Sequence, residues 1–251
     1  MSEGGDLLHG GLRAWRPGPG EEPELRRDEM LRYLGHTGQE LEPDLARRIE
    51  DAAVLATRDA RIRGAYRVFG VDPTGTDAQG APCIRLQGAR IELRGRDIYR
   101  HLKDARACAV LCCTIGMGTE RRLRALAASD ALAGALYDAA CSAYAEDAVE
   151  ALDGVVRREA AGLGLHANWR FSCGYGDCPL DAQPQILAAL DAQRRCGVCA
   201  TDSSLLLPSK SVTAMIGLFD GEPSDAGSRP SCAICRLRGS CGFRARKTTC
   251  Y

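Results

Sequence analysis

RFSCGYGDCPL, running from Arg170 to Leu180, sets Cys173 and Cys178 on either side of Gly174-Tyr175-Gly176 and closes on Pro179. Two glycines around a tyrosine give the backbone positive φ and room for a close approach, and Pro179 with Asp181 can start a following helix. A disulfide staple, a metal site and a ligand-cradling turn would each use some of these residues. Arg170, four residues ahead of Gly174, adds a guanidinium suited to bidentate pairing with a carboxylate. Tyr175 adds a ring face for a heterocycle or sulfonium and a hydroxyl for a hydrogen bond. From these residues alone the plainer reading is favoured: a rigid strand-to-helix turn carrying a surface arginine. The rest of the chain has to decide.

The chain has 251 residues, 45% of them hydrophobic, enough for one large domain or two small ones with a real core. Lys plus Arg number 33 and Asp plus Glu 33, so net charge gives no reason to expect nucleic acid or an anionic membrane as a partner. The balance is local, because no acidic residue follows Asp225, whereas Arg229, Arg236, Arg238, Arg244, Arg246 and Lys247 do. The opening MSEGGDLLHGGLRAW has acids and glycines where a secretory signal needs a basic start and an apolar run. No apolar run reaches the length of about 18 residues that a membrane span requires. A cytoplasmic, soluble protein is expected.

Thirteen cysteines against four histidines (His9, His36, His101, His166) mean that any metal would be held mostly by thiolates, as zinc or iron-sulfur. In a reducing compartment the default for such cysteines is burial rather than a disulfide framework. Cys83, Cys108, Cys141 and the Cys112-Cys113 step are read as core. Cys196 and Cys199 lie in a β-like run where alternation points them to opposite faces, which favours a buried structural pair over a redox motif. The tail spacing Cys232-x-x-Cys235-x5-Cys241-x8-Cys250 could hold zinc or an iron-sulfur cluster, although its last interval matches no standard run. Uncommitted thiols on a basic docking tail are the alternative. Asp177 and Asp202 are candidate acid-base groups for which turn or cap roles are commoner.

Periodicity predicts an α+β fold, a mixed or antiparallel twisted sheet packed with helices, since helices and strands mix without strict βαβ alternation. Residues 1–22 read as a flexible arm, 23–221 as the folded domain and 222–251 as a basic, Cys-rich tail. Helices are predicted over Glu24–Tyr33, Pro43–Arg61, a long section from about Gly118 to Gly162, and Ala182–Arg194. Short β runs are predicted at Ala65–Val71, Cys83–Leu86, Arg90–Leu93, Cys196–Ala200 and Ser211–Phe219, with Ala107–Ile115 (ACAVLCCTI) as the buried strand. Ser129 is the candidate cap for the second part of the long helical section. Its stripe of Leu132, Leu136, Ala140, Ala143, Val149, Leu152 and Val156 is interrupted by Asp147.

The opening stretch also resembles the activation domain of cobalamin-dependent methionine synthase, whose Arg-x-x-x-Gly-Tyr-x-x-Cys-Pro signature is matched by Arg170, Gly174, Tyr175, Cys178 and Pro179. Thr201-Asp202-Ser203 followed by Pro208-Ser209-Lys210-Ser211-Val212-Thr213-Ala214 resembles the family's second signature. Thr114-Ile115-Gly116 with Glu120-Arg121, and Cys141-Ser142-Ala143-Tyr144-Ala145-Glu146, look like the stand-alone version of the domain. The likeness spans roughly residues 40 to 220 in the right order.

The resemblance implies a domain that binds S-adenosylmethionine and presents its methyl group to an oxidised cob(II)alamin carried by a partner. That partner is the cobalamin-binding module of methionine synthase or another corrinoid protein, and the electron comes from a flavodoxin or ferredoxin type reductant. Arg170 would hold the carboxylate of S-adenosylmethionine and the Gly174-Tyr175 backbone its polar edge, with Ser172, Cys178 and Glu146 completing the set. Departures are local. The family's acidic residue near Ser142 is missing, with Glu146 as a substitute one turn on, and Met215 and Ile216 stand where the family can offer aromatics. Cys173 occupies a position where proline is usual. The chain has no room for folate, homocysteine and cobalamin domains, so an activation component rather than a complete synthase is expected. The rival reading is a Cys-rich iron-sulfur or zinc protein acting as electron carrier or assembly factor for a corrinoid system.

Overall fold

The computed structural model describes residues 11–223 and 239–245. Strand β1 (Arg13–Trp15) is followed by helices α1 (Arg27–Tyr33) and α2 (Pro43–Asp59), then strands β2 (Arg63–Thr76), β3 (Pro82–Leu86) and β4 (Ile91–Arg94). Helix α3 (Arg96–Leu102) leads to β5 (Ala107–Thr114), α4 (Met117–Ser129), the 32-residue α5 (Ala131–Gly162) and β6 (His166–Ala167). A 3-10 turn (Leu180–Ala182), α6 (Gln183–Ala189), α7 (Ala192–Cys196), β7 (Cys199–Ala200), β8 (Leu206–Leu207), β9 (Ser211–Phe219) and α8 (Gly242–Ala245) complete the order.

The apolar run ACAVLCCT dictates the centre. All eight residues of β5 are buried, and the strand pairs antiparallel with β2 on one side and β9 on the other. Alternation sends Ala107, Ala109, Leu111 and Cys113 into one core and Cys108, Val110 and Cys112 into another. The sheet runs β4-β3-β2-β5-β9-β6 with β1 on β2, every pairing antiparallel, and β7 and β8 form a separate pair. The expected α+β class with an antiparallel sheet is what the chain adopts.

Helices α1, α2, α4 and α5 cover the first face, while α3, α6 and α7 close the second. Small residues let α5 come close to its neighbours: a Cβ on Gly134 would lie 2.9 Å from Ala127 Cα of α4. Asp147, which breaks the apolar stripe, is anchored. Its carboxylate accepts from Arg26 N (3.0 Å) and Arg26 Nε (2.5 Å) and so fixes the start of α1. Cys83, Cys108, Cys112, Cys113 and Cys141 are all buried thiols, and burial pushes Cys108, Cys113 and Cys141 up to about 12.

Several expectations need correction. The arm drawn over residues 1–22 contributes β1, whose Arg13, Ala14 and Trp15 pair with Tyr66, Ala65 and Gly64. Asp130 rather than Ser129 caps α5, accepting from Ala133 N at 2.9 Å, because Ser129 still lies in α4 and donates back to Ala125 O and Leu126 O. The helix expected over Ala182–Arg194 is split at Asp191, which takes a left-handed φ of 46° and starts α7. Helix α7 runs through Cys196 and ends at left-handed Gly197, so Cys196 is helical and Cys199 belongs to β7. The Cys196 thiol meets Cys112, not Cys199. Among the described residues no helix is long and apolar enough to cross a membrane.

Candidate functional site

Helix α5 carries a polar stripe, Asp138, Ser142, Glu146, Glu150 and Asp153, at the spacing that keeps residues on one helical face. Two chain segments reach it from the edge of the sheet. One follows β6. Asn168 Oδ1 accepts from Gly217 N (2.7 Å) and its Nδ2 donates to His101 O (2.8 Å), while Phe171 bridges to Met215 of β9. Arg157 of α5 donates to Ala167 O (3.1 Å) and Asn168 O (2.6 Å). The segment is thereby pinned at Arg170.

The Arg170 guanidinium lies against α5, 3.1 Å from Glu150, 3.7 Å from Glu146 and 3.8 Å from Asp153. Its Nη1 is buried and has no hydrogen-bond partner. Burial raises Glu146 and Asp153 above the usual carboxylate range, opposed by Arg170 at Glu146 and by Arg157 and Arg170 at Asp153. The structure thus brings Glu146 and Arg170 together, and adds Glu150 and Asp153, which sequence reasoning passed over. Their signal was present as acids at i, i+4 and i+7 in a helix otherwise rich in alanine.

The other segment is the Pro208-Ser209-Lys210-Ser211 loop. Glu120 of α4 accepts from Ser209 N (3.1 Å) and Ser209 Oγ (2.5 Å), which holds Glu120 below the usual carboxylate range. Ile115 N donates to Lys210 O (3.2 Å), and Ser211 Oγ donates to Thr114 Oγ1 (2.8 Å). So fixed, Lys210 reaches α5, with Nζ 2.8 Å from Ser142 Oγ and 2.7 Å from Asp138. Where the family's acidic residue is missing, a lysine therefore covers Ser142. Lys210 is a third residue, after Glu150 and Asp153, that the sequence did not single out by chemistry. Met215 and Ile216, in place of possible aromatics, are core residues of the two opposite layers.

The GYG turn is built differently from its expected use. Gly174 N donates to Cys178 O (2.9 Å) and Tyr175 N to Ser172 O (3.1 Å), so both amides expected to receive a ligand's polar edge are spent inside the turn. What remains toward solvent is the Tyr175 side chain, 49% exposed and 6.0 Å from the Phe171 ring. Gly174 and Gly176 have φ of 90° and 53°. Gly176 also allows close docking on α3, since a Cβ there would strike the Asp97 side chain. Asp177 accepts from Arg96 N and Asp97 N, both at 2.9 Å, and so caps α3 from across the chain. Asp202 is an exposed residue of the Thr201–Ser204 turn.

Cys178, expected at the ligand, turns its thiol into the second core instead, 3% exposed, with Cys173. Arg170 looks to α5 and its extended neighbour Phe171 to the second core, and the GYG turn that follows brings Cys178 into that same second core. Of the tail cysteines, Cys241 is half-buried and free, and Cys232, Cys235 and Cys250 lie outside the described residues. No group of three or more potential metal ligands occurs among the described residues.

No family model matches the chain, and no curated protein matches it in sequence. Among solved structures it is similar to the MetH reactivation domain bound to AdoHcy, with a TM-score of 0.62 and 15% identity over 82% of this chain and 78% of that one. The chain has the fold of that reactivation domain.

Proposed function

We propose that the chain binds S-adenosylmethionine in the groove between α5 and the Arg170–Tyr175 segment, and presents its methyl group to a cobalamin carried by a partner protein. The observation that carries this reading is Arg170, held in place by α5 carboxylates while its buried Nη1 lacks a partner. Such a donor suits the ligand's carboxylate. Glu146 stands 3.7 Å from the other guanidinium nitrogen, Nη2, where an α-ammonium beside that carboxylate would be received. Arg157 pairs with Asp153 at 3.0 Å, so Glu146 and Glu150 are the carboxylates that leave the groove net negative around Arg170, which favours a ligand bearing an ammonium and a sulfonium. The exposed Tyr175 ring offers an aromatic face to the sulfonium or the adenine. The ligand found in the similar fold, AdoHcy, has the same amino-acid and adenosine parts, which supports the choice.

S-adenosylmethionine supplies an activated methyl group when bound. The chain's own work is positioning: Arg170 and Glu146 orient the amino-acid end, and the Lys210 loop bounds the groove one turn before Glu146. The partner is a cobalamin-binding module of a methyltransferase, methionine synthase first among them, with a flavodoxin or ferredoxin type reductant supplying the electron. The test is methylation of cob(II)alamin on such a module with reductant and S-adenosylmethionine, with and without this chain. The reading expects methylcobalamin only when the chain is present; equal yields in both arms overturn it.

A further inference from the structure

Cys173 lies with Cys178 in the second core, and the ligand groove on α5 uses neither thiol. The two thiols lie beneath the turn in the same buried cluster, 6% and 3% exposed, near enough to shift each other's titration. The chain between them is surface: Gly174, Tyr175 and Gly176 are all exposed. Hydrogen bonds Gly174 N to Cys178 O and Cys178 N to Tyr175 O keep the two ends of this short loop together. We propose that Cys173 and Cys178 are a reversible disulfide site, oxidised by low-molecular-weight disulfides, and that closing it lowers the affinity of the adjacent groove for the methyl donor. The second half rests on the S-adenosylmethionine reading.

The chemistry needs one nucleophilic thiolate, a nearby resolving thiol and a named oxidant. Hydrogen bonding from Cys178 lowers the Cys173 thiol below its ordinary value, while the same contact and burial raise Cys178. Cys173 thiolate attacks one sulfur of the small disulfide, forming a mixed disulfide and releasing one thiolate. Cys178 loses its proton to water and attacks the Cys173 sulfur, expelling the second thiolate. Two protein thiols are oxidised to one disulfide, and one small disulfide is reduced to two thiols.

Cys112 and Cys196 are a second buried thiol pair of the same cluster, but Cys112 lies in β5, 0% exposed and laddered to β2 and β9 on both sides. Bond formation draws two sulfurs to about 2.05 Å, which moves backbone. A doubly paired central strand resists that movement, whereas a turn with two positive-φ glycines yields. Closing the bond draws Cys178 toward Cys173 and shifts the Tyr175 segment that follows Arg170, which is the route to weaker binding.

The test treats the reduced full chain with glutathione disulfide, then digests it without reductant. Mass analysis should find the peptide spanning Cys173 and Cys178 lighter by two hydrogens, with Cys112 and Cys196 still reduced. Calorimetric titration with S-adenosylmethionine should show affinity lower by about fivefold or more after oxidation, recovered with dithiothreitol. Cys173→Ser and Cys173→Ala should abolish both changes. A Cys173–Cys178 peptide that stays reduced overturns the site, and a bond that forms without altering affinity overturns its coupling to the groove. If the reduced protein fails to bind S-adenosylmethionine, the functional reading falls, and the mass measurement alone still decides the disulfide site.

Discussion

Arg170 and Glu146 face each other at 3.7 Å across the gap between the sheet edge and α5, with side chains 21% and 36% exposed. Neither segment could present a zwitterion alone. Their meeting depends on Asn168 and Phe171 tying the Arg170 segment to β9, and on α5 crossing the same edge.

Stability should respond to pH through Glu146. Burial lifts its folded pKa above the ordinary value of 4.5, so the folded state binds the proton more tightly than the unfolded chain. The stability this contributes is full below about pH 4.5 and is lost as pH rises through the folded value. Glu146→Gln removes that titration. Urea unfolding from pH 4 to 8 should show wild type falling relative to the variant across this window, and a constant difference would refute the buried carboxyl.

Glu120 predicts the opposite slope. Bonds from Ser209, its hydroxyl first, hold the carboxylate below 4.5, so the stability it contributes is present above that value and lost as pH falls through the folded one. Glu120→Gln should cost about 2 kcal/mol at neutral pH, typical of hydrogen bonds to a charged group, and almost nothing in strong acid. Equal losses at both pH values would show that Glu120 acts by packing alone.

How much could be read in advance followed from how local each cause is. β5 and α5 were legible because one is an unbroken apolar run and the other a long proline-free helical stripe. Helix α3 was not, since its first turn is capped by Asp177 from the far side of the GYG turn. Strand β1 has three residues and exists because β2 offers it an edge. At the site, Arg170 and the glycines of the turn could be singled out by type and spacing. Glu150, Asp153 and Lys210 could not, because their roles arise only once two distant segments lie on α5. The same holds for Cys178, whose inward direction is set by the hydrogen-bonded GYG turn.

Asp147→Ala should detach the start of α1. The buried carboxylate accepts two bonds from Arg26, so the loss should be about 2 kcal/mol by urea unfolding. Amide exchange in α1 should rise more than in α2. Uniform loss of protection across both helices would contradict an anchoring role.

Gly176→Ala meets two obstacles, a left-handed φ of 53° and the Asp97 side chain. A penalty of at least about 1 kcal/mol is expected from the backbone alone. Thermal unfolding should show it, and binding of S-adenosylmethionine should weaken as the turn lifts from α3. A variant as stable as wild type would mean the turn is not docked this way.

The central claim is that Arg170 receives the carboxylate of S-adenosylmethionine. Isothermal titration of the reduced full chain measures it directly, with Arg170→Ala, Arg170→Lys and the exposed Arg47→Ala of α2 compared at one ionic strength. Expected are saturable binding by wild type and Arg47→Ala, a loss of at least about tenfold for Arg170→Ala, equivalent to about 1.4 kcal/mol, and partial binding by Arg170→Lys, which keeps the charge without the fork. No binding by folded wild type at millimolar ligand, or unchanged affinity in Arg170→Ala, would contradict it.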